Sequence, residues 1–587
     1  MKKRIAAGIA FAVFAAAVIG VLSYDRSDGG DWNGDEIRVF DNYGQIEKVL
    51  GSIKDDEPMF HTYGGDVIVE EDIAEAPDGN MAEAPAMGAG PDANAEGGDA
   101  KSAEFSDTYI QVEGVDEADI IKTDGKYIFY TSRSSYDVII AKVENSKAVD
   151  AAVIPEEEMG ISADSIFLSG GRLVVVGTDF GDPDEYYAPT QVINSTACIY
   201  DVSNPEKPKL VGKYGQSGSL VSARVTDGYL YMISTDYLNR GDRRIVPLAG
   251  TGGEMDKLKA DHICCFPNPQ SRAYAVIGSV KVDSAKGKLK TNSRAVLGTS
   301  DDIYCSGRSI YLTDYRLNYG SMDGAVSDER TSIMKAEISK GKVAFAKQGS
   351  VRGSVLNQFS MDEKDGYFRI ATTARVKGHD VNYLYVLDED MEVCGKVKGF
   401  AAGEQIKAVR YLGDTAYVIT YKQTDPLFVI DLSDPEKPEM RGNVEITGFS
   451  SLLLPEGEDK IIGIGTATSE GEFGEVENGV KIALFDISDP EKPEVLDSMT
   501  YMDYSSNVQY DHRALTVNSS EGWYAVPYSV WDNDTGGVIQ FRVSGNMLEE
   551  MNNYKGEKCI DRCLFIDDYI YGLESYEDEI LSWNLAH

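Results

Sequence analysis

The chain has 587 residues, 42% of them hydrophobic, which is enough to bury more than one large core. Asp and Glu number 97 against 56 Lys and Arg, a net charge of −41 that excludes a nucleic-acid-binding role, because phosphate contacts need a basic surface. With 58 Gly, 34 Tyr and only 5 His, the composition points to a turn-rich β protein rather than a metalloenzyme.

Residues 2–4 are Lys-Lys-Arg, and Ile5 to Leu22 is an unbroken run of apolar and small residues. The run is close to the roughly 20 residues needed to span a bilayer and exceeds the usual apolar core of a cleaved signal. No Cys follows it, so a lipoprotein anchor is excluded, while Gly20 and Ser23 keep signal cleavage open. Residues 1–24 are therefore a signal anchor or a signal peptide. In both cases the basic end stays inside and the body is exported, to the outer face of the membrane or beyond it. Residues 25–69 are a short acidic segment with a strand expected at Ile37 to Phe40 and a helix at Gln45 to Leu50. Residues 70–105 are acidic, rich in Ala, Gly and Pro and without period, the composition of a disordered linker.

From residue 106 to 587 the signal is short β-type runs separated by Gly and Asp turns. Strand–turn–strand units begin at Asp119, Ser165, Ala223, Ile303, Phe359, Ala408, Leu452, His512 and Cys563. After most of them a third and a fourth run follow. Four antiparallel strands repeated radially make a β-propeller, which predicts an all-β domain of eight or nine four-stranded blades. The spacing exceeds that of compact propeller repeats, and Asp182 to Gln191 and Asp236 to Asp261 are the evident insertions. The last unit lacks a fourth strand, and Ile110 to Glu113 is the expected donor that closes the ring. A stacked pair of β-sandwiches is the alternative architecture.

One phrase recurs in this region: Asp201-Val-Ser-Asn-Pro-Glu-Lys-Pro208, Asp431-Leu-Ser-Asp-Pro-Glu-Lys-Pro438 and Asp486-Ile-Ser-Asp-Pro-Glu-Lys-Pro493. Asn or Asp followed by Pro favours a type I turn. The closing Pro cannot donate a ladder hydrogen bond, so it begins a strand expected to be outermost in its blade. The seven cysteines, Cys198, Cys264, Cys265, Cys305, Cys394, Cys559 and Cys563, lack zinc-type spacing and are read mostly as small core residues, with Cys264 and Cys305 a candidate disulfide.

The stretch Tyr109-Ile-Gln-Val-Glu-Gly-Val-Asp-Glu-Ala-Asp-Ile-Ile-Lys-Thr-Asp-Gly-Lys-Tyr-Ile128 closely resembles the opening signature of a bacterial and archaeal family of secreted proteins with a C-terminal β-propeller domain, distantly like WD repeats. Leu356-Asn-Gln-Phe-Ser-Met-Asp-Glu with Gly366-Tyr-Phe-Arg-Ile-Ala-Thr-Thr373 is similar to a second signature, and Asp511-His-Arg-Ala514 to a third. The resemblance covers roughly residues 36–587. It implies a propeller and export, and carries no activity to this chain.

The sharpest acidic cluster is Glu113, Asp116, Glu117 and Asp119. Such acids can ligate Ca²⁺, but their spacing is not that of an EF-hand loop, so turn capping where the ring closes is the alternative. Asp511 and His512 are an acid–histidine neighbour inside a family-like signature. Neighbours on a strand face opposite ways, and no nucleophile motif accompanies them. A buried histidine bonding a turn is therefore the competing reading. These six residues are the candidate binding positions. No catalytic residue, metal ligand or cofactor is assigned, apart from the Ca²⁺ option. The tyrosines Tyr127, Tyr130, Tyr229, Tyr231, Tyr311 and Tyr367 are expected to pack between blades.

Function is expected to be that of a surface-tethered, monomeric propeller binding an extracellular protein or cell-wall ligand, more a binder than an enzyme. The alternatives are an exported glycan hydrolase or lyase with paired carboxylates in the central funnel, and a Ca²⁺-stabilised structural module.

Overall fold

The nine strand–turn–strand units of the sequence become the first two strands of nine sheets among the described residues, antiparallel except where Ile263–Cys265 pairs parallel to Thr291–Leu297. The computed structural model describes residues 37–53, 104–179, 193–238, 244–266, 269, 271–298, 300–319, 326–421, 425–446, 448–471, 474–530 and 535–585. The sheets follow chain order: blade 1 (121–154), blade 2 (162–217), blade 3 (219–297), blade 4 (302–352), blade 5 (361–400), blade 6 (405–446), blade 7 (449–502), blade 8 (504–556) and a three-stranded sheet, blade 9 (562–584).

Each seam between consecutive sheets holds its own apolar core, and a further one joins blade 9 to blade 1. There Ile121, Ile128 and Tyr130 pack on Leu564, Tyr571 and Leu573. Nine sheets with nine seams form a closed ring, a β-propeller of eight full blades completed by the three-stranded sheet. Each sheet buries both faces against its neighbours, so the inner strands read as near-continuous buried runs rather than alternating ones, as in Leu173 to Val176. Tyr130, Tyr231 and Tyr311 are fully buried at these seams, and Tyr311 stacks on Phe368 across blades 4 and 5 at 4.1 Å.

The blades are not uniformly four-stranded. Blade 2 gains a hairpin, Leu248–Thr251 with Glu254–Lys257, and blade 3 gains Ile263–Cys265 and, outside it, β1 (Arg38–Val39). The helix α1 (Tyr43–Ser52) follows β1; its N-cap Asn42 accepts from the Gln45 amide at 3.1 Å. Phe40, Ile46 and Leu50 bury against Leu238, Val246 and Tyr274, so the N-terminal segment is fastened to the outer rim of blade 3. Among the described residues no helix is long and apolar enough to cross a membrane. Residues 1–24, the 70–103 part of the linker and the insertion at 182–191 lie outside them.

The donor expected to close the ring is corrected. Residues 110–113 form no strand. Instead Phe105 bridges Ile566 on the first strand of blade 9, and the Ser106 amide donates to the Phe565 carbonyl at 3.1 Å. Closure needs no exchanged outer strand, because the apolar seam between blades 9 and 1 supplies it.

Each copy of the Asp-x-Ser phrase makes the expected β-turn. Lys207, Lys437 and Lys492 donate to the carbonyls of Asn204, Asp434 and Asp489, each at 3.0 Å. The leading Asp accepts from the Ser amide two residues on, at 3.0, 2.8 and 2.9 Å. Two copies lead into outermost strands, Glu439–Ile446 and Glu494–Met502. The first does not: the strand Lys209–Ser217 is covered by the inserted hairpin, which pairs with Tyr214 to Gln216, beyond the reach of Pro208. The turns also pack on the preceding blade. A side chain at Gly442 would meet the carbonyls of Pro490 and Glu491 at 2.7 Å, so that close approach requires glycine.

All seven cysteines are free, Cys264 and Cys305 included; both are buried in the apolar seam of blades 3 and 4.

Candidate functional site

The segment 104–120 reaches the inner edges of many blades in turn. After Phe105 on blade 9, Tyr109 packs at the seam of blades 7 and 8, and the Gln111 side chain donates to the carbonyls of Gln358 and Met361 at 3.0 and 3.2 Å. Then β2 (Asp116–Glu117) pairs with Val225 and Arg224 on the first strand of blade 3. Asp119 bridges Ile166 on the first strand of blade 2, and residues 121–123 become the first strand of blade 1. One short segment can touch so many first strands only if they surround it. The first strands therefore line the axis and the opening signature fills the channel.

Two three-residue 3-10 turns from the other signatures meet this plug. Asn357 caps Gln358–Ser360, its side chain accepting from the Phe359 amide at 3.0 Å. In blade 8 the innermost strand is interrupted, and Asp511 caps the turn His512–Ala514, accepting from the Arg513 amide at 3.1 Å. His512 is thus in a turn and not on the strand expected from the sequence; the Asp side chain competes for the backbone amide and breaks the ladder.

Glu117 is where the three signatures converge. Its carboxylate accepts from His512 Nε2 at 3.1 Å, from Gln358 Nε2 at 3.1 Å and from the Gln111 amide at 3.3 Å, and lies 3.4 Å from the Arg224 guanidinium. Arg224 also donates to Gln358 Oε1 at 2.7 Å. Burial pushes the Glu117 carboxyl up, but the Arg224 charge and the His512 hydrogen bond outweigh it and hold the pKa at about 2. The His512 ring stands edge-on to Phe359, with centroids 4.8 Å apart, which fixes its plane.

A second knot adjoins it. Arg562 Nε lies 3.0 Å from Asp119, and its other end bonds Asp511. Arg513 makes a two-point contact with Asp511 at 2.8 and 2.9 Å and donates to the Ala118 carbonyl at 2.7 Å. Burial raises the Asp511 carboxyl, but the hydrogen bond and charge of Arg513, with Arg562, bring it well below the ordinary carboxylate range. Three acids thus face three arginines and a histidine.

The six candidate positions divide accordingly. Glu117, Asp119, Asp511 and His512 come together on the axis. Asp116 stands beside them but pairs with Lys122 at 2.9 Å; burial, only partly offset by that lysine, raises its pKa. Glu113 is exposed and enters none of these contacts. Asp511 and His512 are not a dyad: Nδ1 is 4.0 Å from the Asp511 oxygen, and Nε2 turns to Glu117. Among the described residues no group of three or more His, Cys, Asp or Glu is arranged to hold a metal ion. Sequence reading missed Arg224, Gln358 and Arg562. For Arg224 the available signal was an arginine inside an inner strand otherwise built to be buried, Ala223-Arg-Val-Thr226; Arg562 starts its strand and Gln358 lies in a turn, so neither carries that signal.

The family model described as beta propeller domain matches residues 105–584. An uncharacterized protein of Archaeoglobus fulgidus is 29% identical over 541 residues, covering 80% of this chain and 81% of its own length. One from Methanocaldococcus jannaschii is 28% identical over 551 residues, covering 82% of each. The crystal structure of BamB from Moraxella catarrhalis aligns at a TM-score of 0.31 and 14% identity, over 62% of this chain and 96% of that one.

Proposed function

The chain belongs to the beta propeller domain family, and we propose that within it this protein is an exported, surface-tethered module that binds an extracellular protein or cell-wall ligand without turning it over. The observation that carries this reading is the state of the axis. A glycan hydrolase needs a carboxylic acid of raised pKa facing a second carboxylate across an open space. Here Glu117 and Asp511 are held low by arginines, and the segment 104–120 occupies the space. Such a centre suits a rigid scaffold, with recognition left to the outer surface. The apolar run Ile5–Leu22 and the acidic stretch 70–105 support the tether.

One observation favours a second reading, an exported hydrolase or lyase. At the start of the first strand of blade 4, burial and then the charge of Asp301 push Asp302 up to about 6, a value suited to a general acid. Incubating the exported body with isolated cell envelopes separates the two. Saturable retention with unchanged envelope glycan by mass spectrometry supports the binding module. Released glycan fragments, lost in Asp302→Asn, would overturn it.

A further inference from the structure

Between the outer halves of blades 4 and 5 lies a cleft of about 740 Å³, within the usual range of small-ligand sites. Its cations are Arg330 and Arg352 from blade 4 and Lys377, His379, Lys396 and Lys398 from blade 5, His379 charged only when protonated. Among the described residues no Asp or Glu lines it, although the chain holds 97 acids against 56 bases. Arg352, Lys377, Lys396 and Lys398 make no ion pair among the described residues. Other cations of the same two blades do, as in Lys347 with Asp390 at 2.7 Å.

The ladder registers sharpen the point. Arg330 and Arg352 are direct partners in their strand pair, which places two guanidinium-bearing side chains on one face. Arg352 Nε is buried with no hydrogen-bond partner among the described residues, and an unmet donor of that kind is costly to the fold. Across the cleft Tyr383 pairs with Lys398 and Tyr385 with Lys396, placing two tyrosines and two lysines on one face. The tyrosine rings are near-parallel, 5.7 Å apart, and Val351 and Val381 extend the apolar lining.

We propose that this cleft binds an anionic saccharide, a ring-bodied ligand carrying phosphate or carboxylate groups. The inference rests on the binding-module reading and names its ligand class. The guanidinium and ammonium groups take the anions, and the tyrosine and valine walls take the ring faces. A compact anion suits the cleft better than an acidic protein, which would meet the repulsion of a −41 chain over its whole interface.

The test is calorimetric titration of the full chain at low salt with an oligogalacturonate and, separately, an oligomeric sugar phosphate, with a neutral oligosaccharide and an acidic peptide as comparisons. One anionic saccharide is expected to bind at one site per chain, weakening as salt rises, and the better of the two identifies the anionic group. The double variant Lys396→Glu, Lys398→Glu is expected to bind about tenfold or more weakly with its circular dichroism unchanged. Should that variant misfold, Lys396→Gln carries the same test. Binding by neither saccharide, equal binding by the variants, or preference for the acidic peptide would overturn the assignment. Envelope retention that persists in the double variant sinks the cleft alone, whereas envelope turnover sinks the binding-module reading beneath it.

Discussion

The axis and the cleft between blades 4 and 5 both gather charged side chains, and they treat charge in opposite ways. On the axis the acids and cations are nearly equal in number, closely paired and buried, with Glu117, Asp119 and Arg562 almost inaccessible. In the cleft the cations outnumber the acids entirely and keep contact with water. Charge taken out of water must be neutralised within the fold or it destabilises the protein. Charge that keeps its water needs no such partner, as with Lys396 and Lys398, which are exposed and in no ion pair among the described residues. The difference separates buried charge that is neutralised within the fold from charge that the solvent still meets.

The axis should respond most strongly when one partner of its buried charges is removed. Arg562→Met leaves Asp119 and Asp511 without their shared cation and is expected to lose about 3–5 kcal/mol in urea unfolding; a loss below about 1 kcal/mol would show that the axis is not tightly coupled to folding. Glu117→Gln comes next, at about 1.5–3 kcal/mol at neutral pH. Its sign with pH is fixed, because the folded pKa of about 2 lies below the ordinary 4.5. The stability Glu117 contributes is full above 4.5 and is lost as pH falls toward 2, so the gap between wild type and variant should close in that window.

Asp302 should behave in the opposite sense. Its folded pKa of about 6 lies above the ordinary 3.8, so its contribution is full below 3.8 and lost as pH rises through 6. Asp302→Asn is therefore expected to stabilise the protein at pH 7, by about 1 kcal/mol after allowing for the water it still meets, read as a higher melting temperature. The smallest effect belongs to the cleft. Lys396→Ala and Lys398→Ala should change stability by no more than about 0.5 kcal/mol, and a larger loss would mean that these lysines hold the fold together.

Much of the architecture was legible in the residues. The nine strand–turn–strand units are the nine sheets, because Gly and Asp turns between β-branched and aromatic runs are local signals. The Asx-turn of each Asp-x-Ser phrase was equally local. The outermost position of its strand was not, and it failed where the hairpin 248–257 added itself to blade 2. The same limit applies to the candidate site. Glu117, Asp119, Asp511 and His512 were visible as acids and a histidine within recognisable signatures. Nothing in their spacing showed that His512 would meet Glu117, since 395 positions separate them.

The all-β repeat, the turn chemistry, the acidic composition and the three signatures were readable from the residues alone, because each follows from composition or from neighbouring residues. Ring closure without an exchanged strand, the filled axis and the convergence of the signatures on Glu117 were decided only by the tertiary structure. So was the gathering of cations from the outer halves of two blades into one cleft. These depend on which seams bury apolar surface and which distant strands then lie side by side, and no local pattern of residues encodes that.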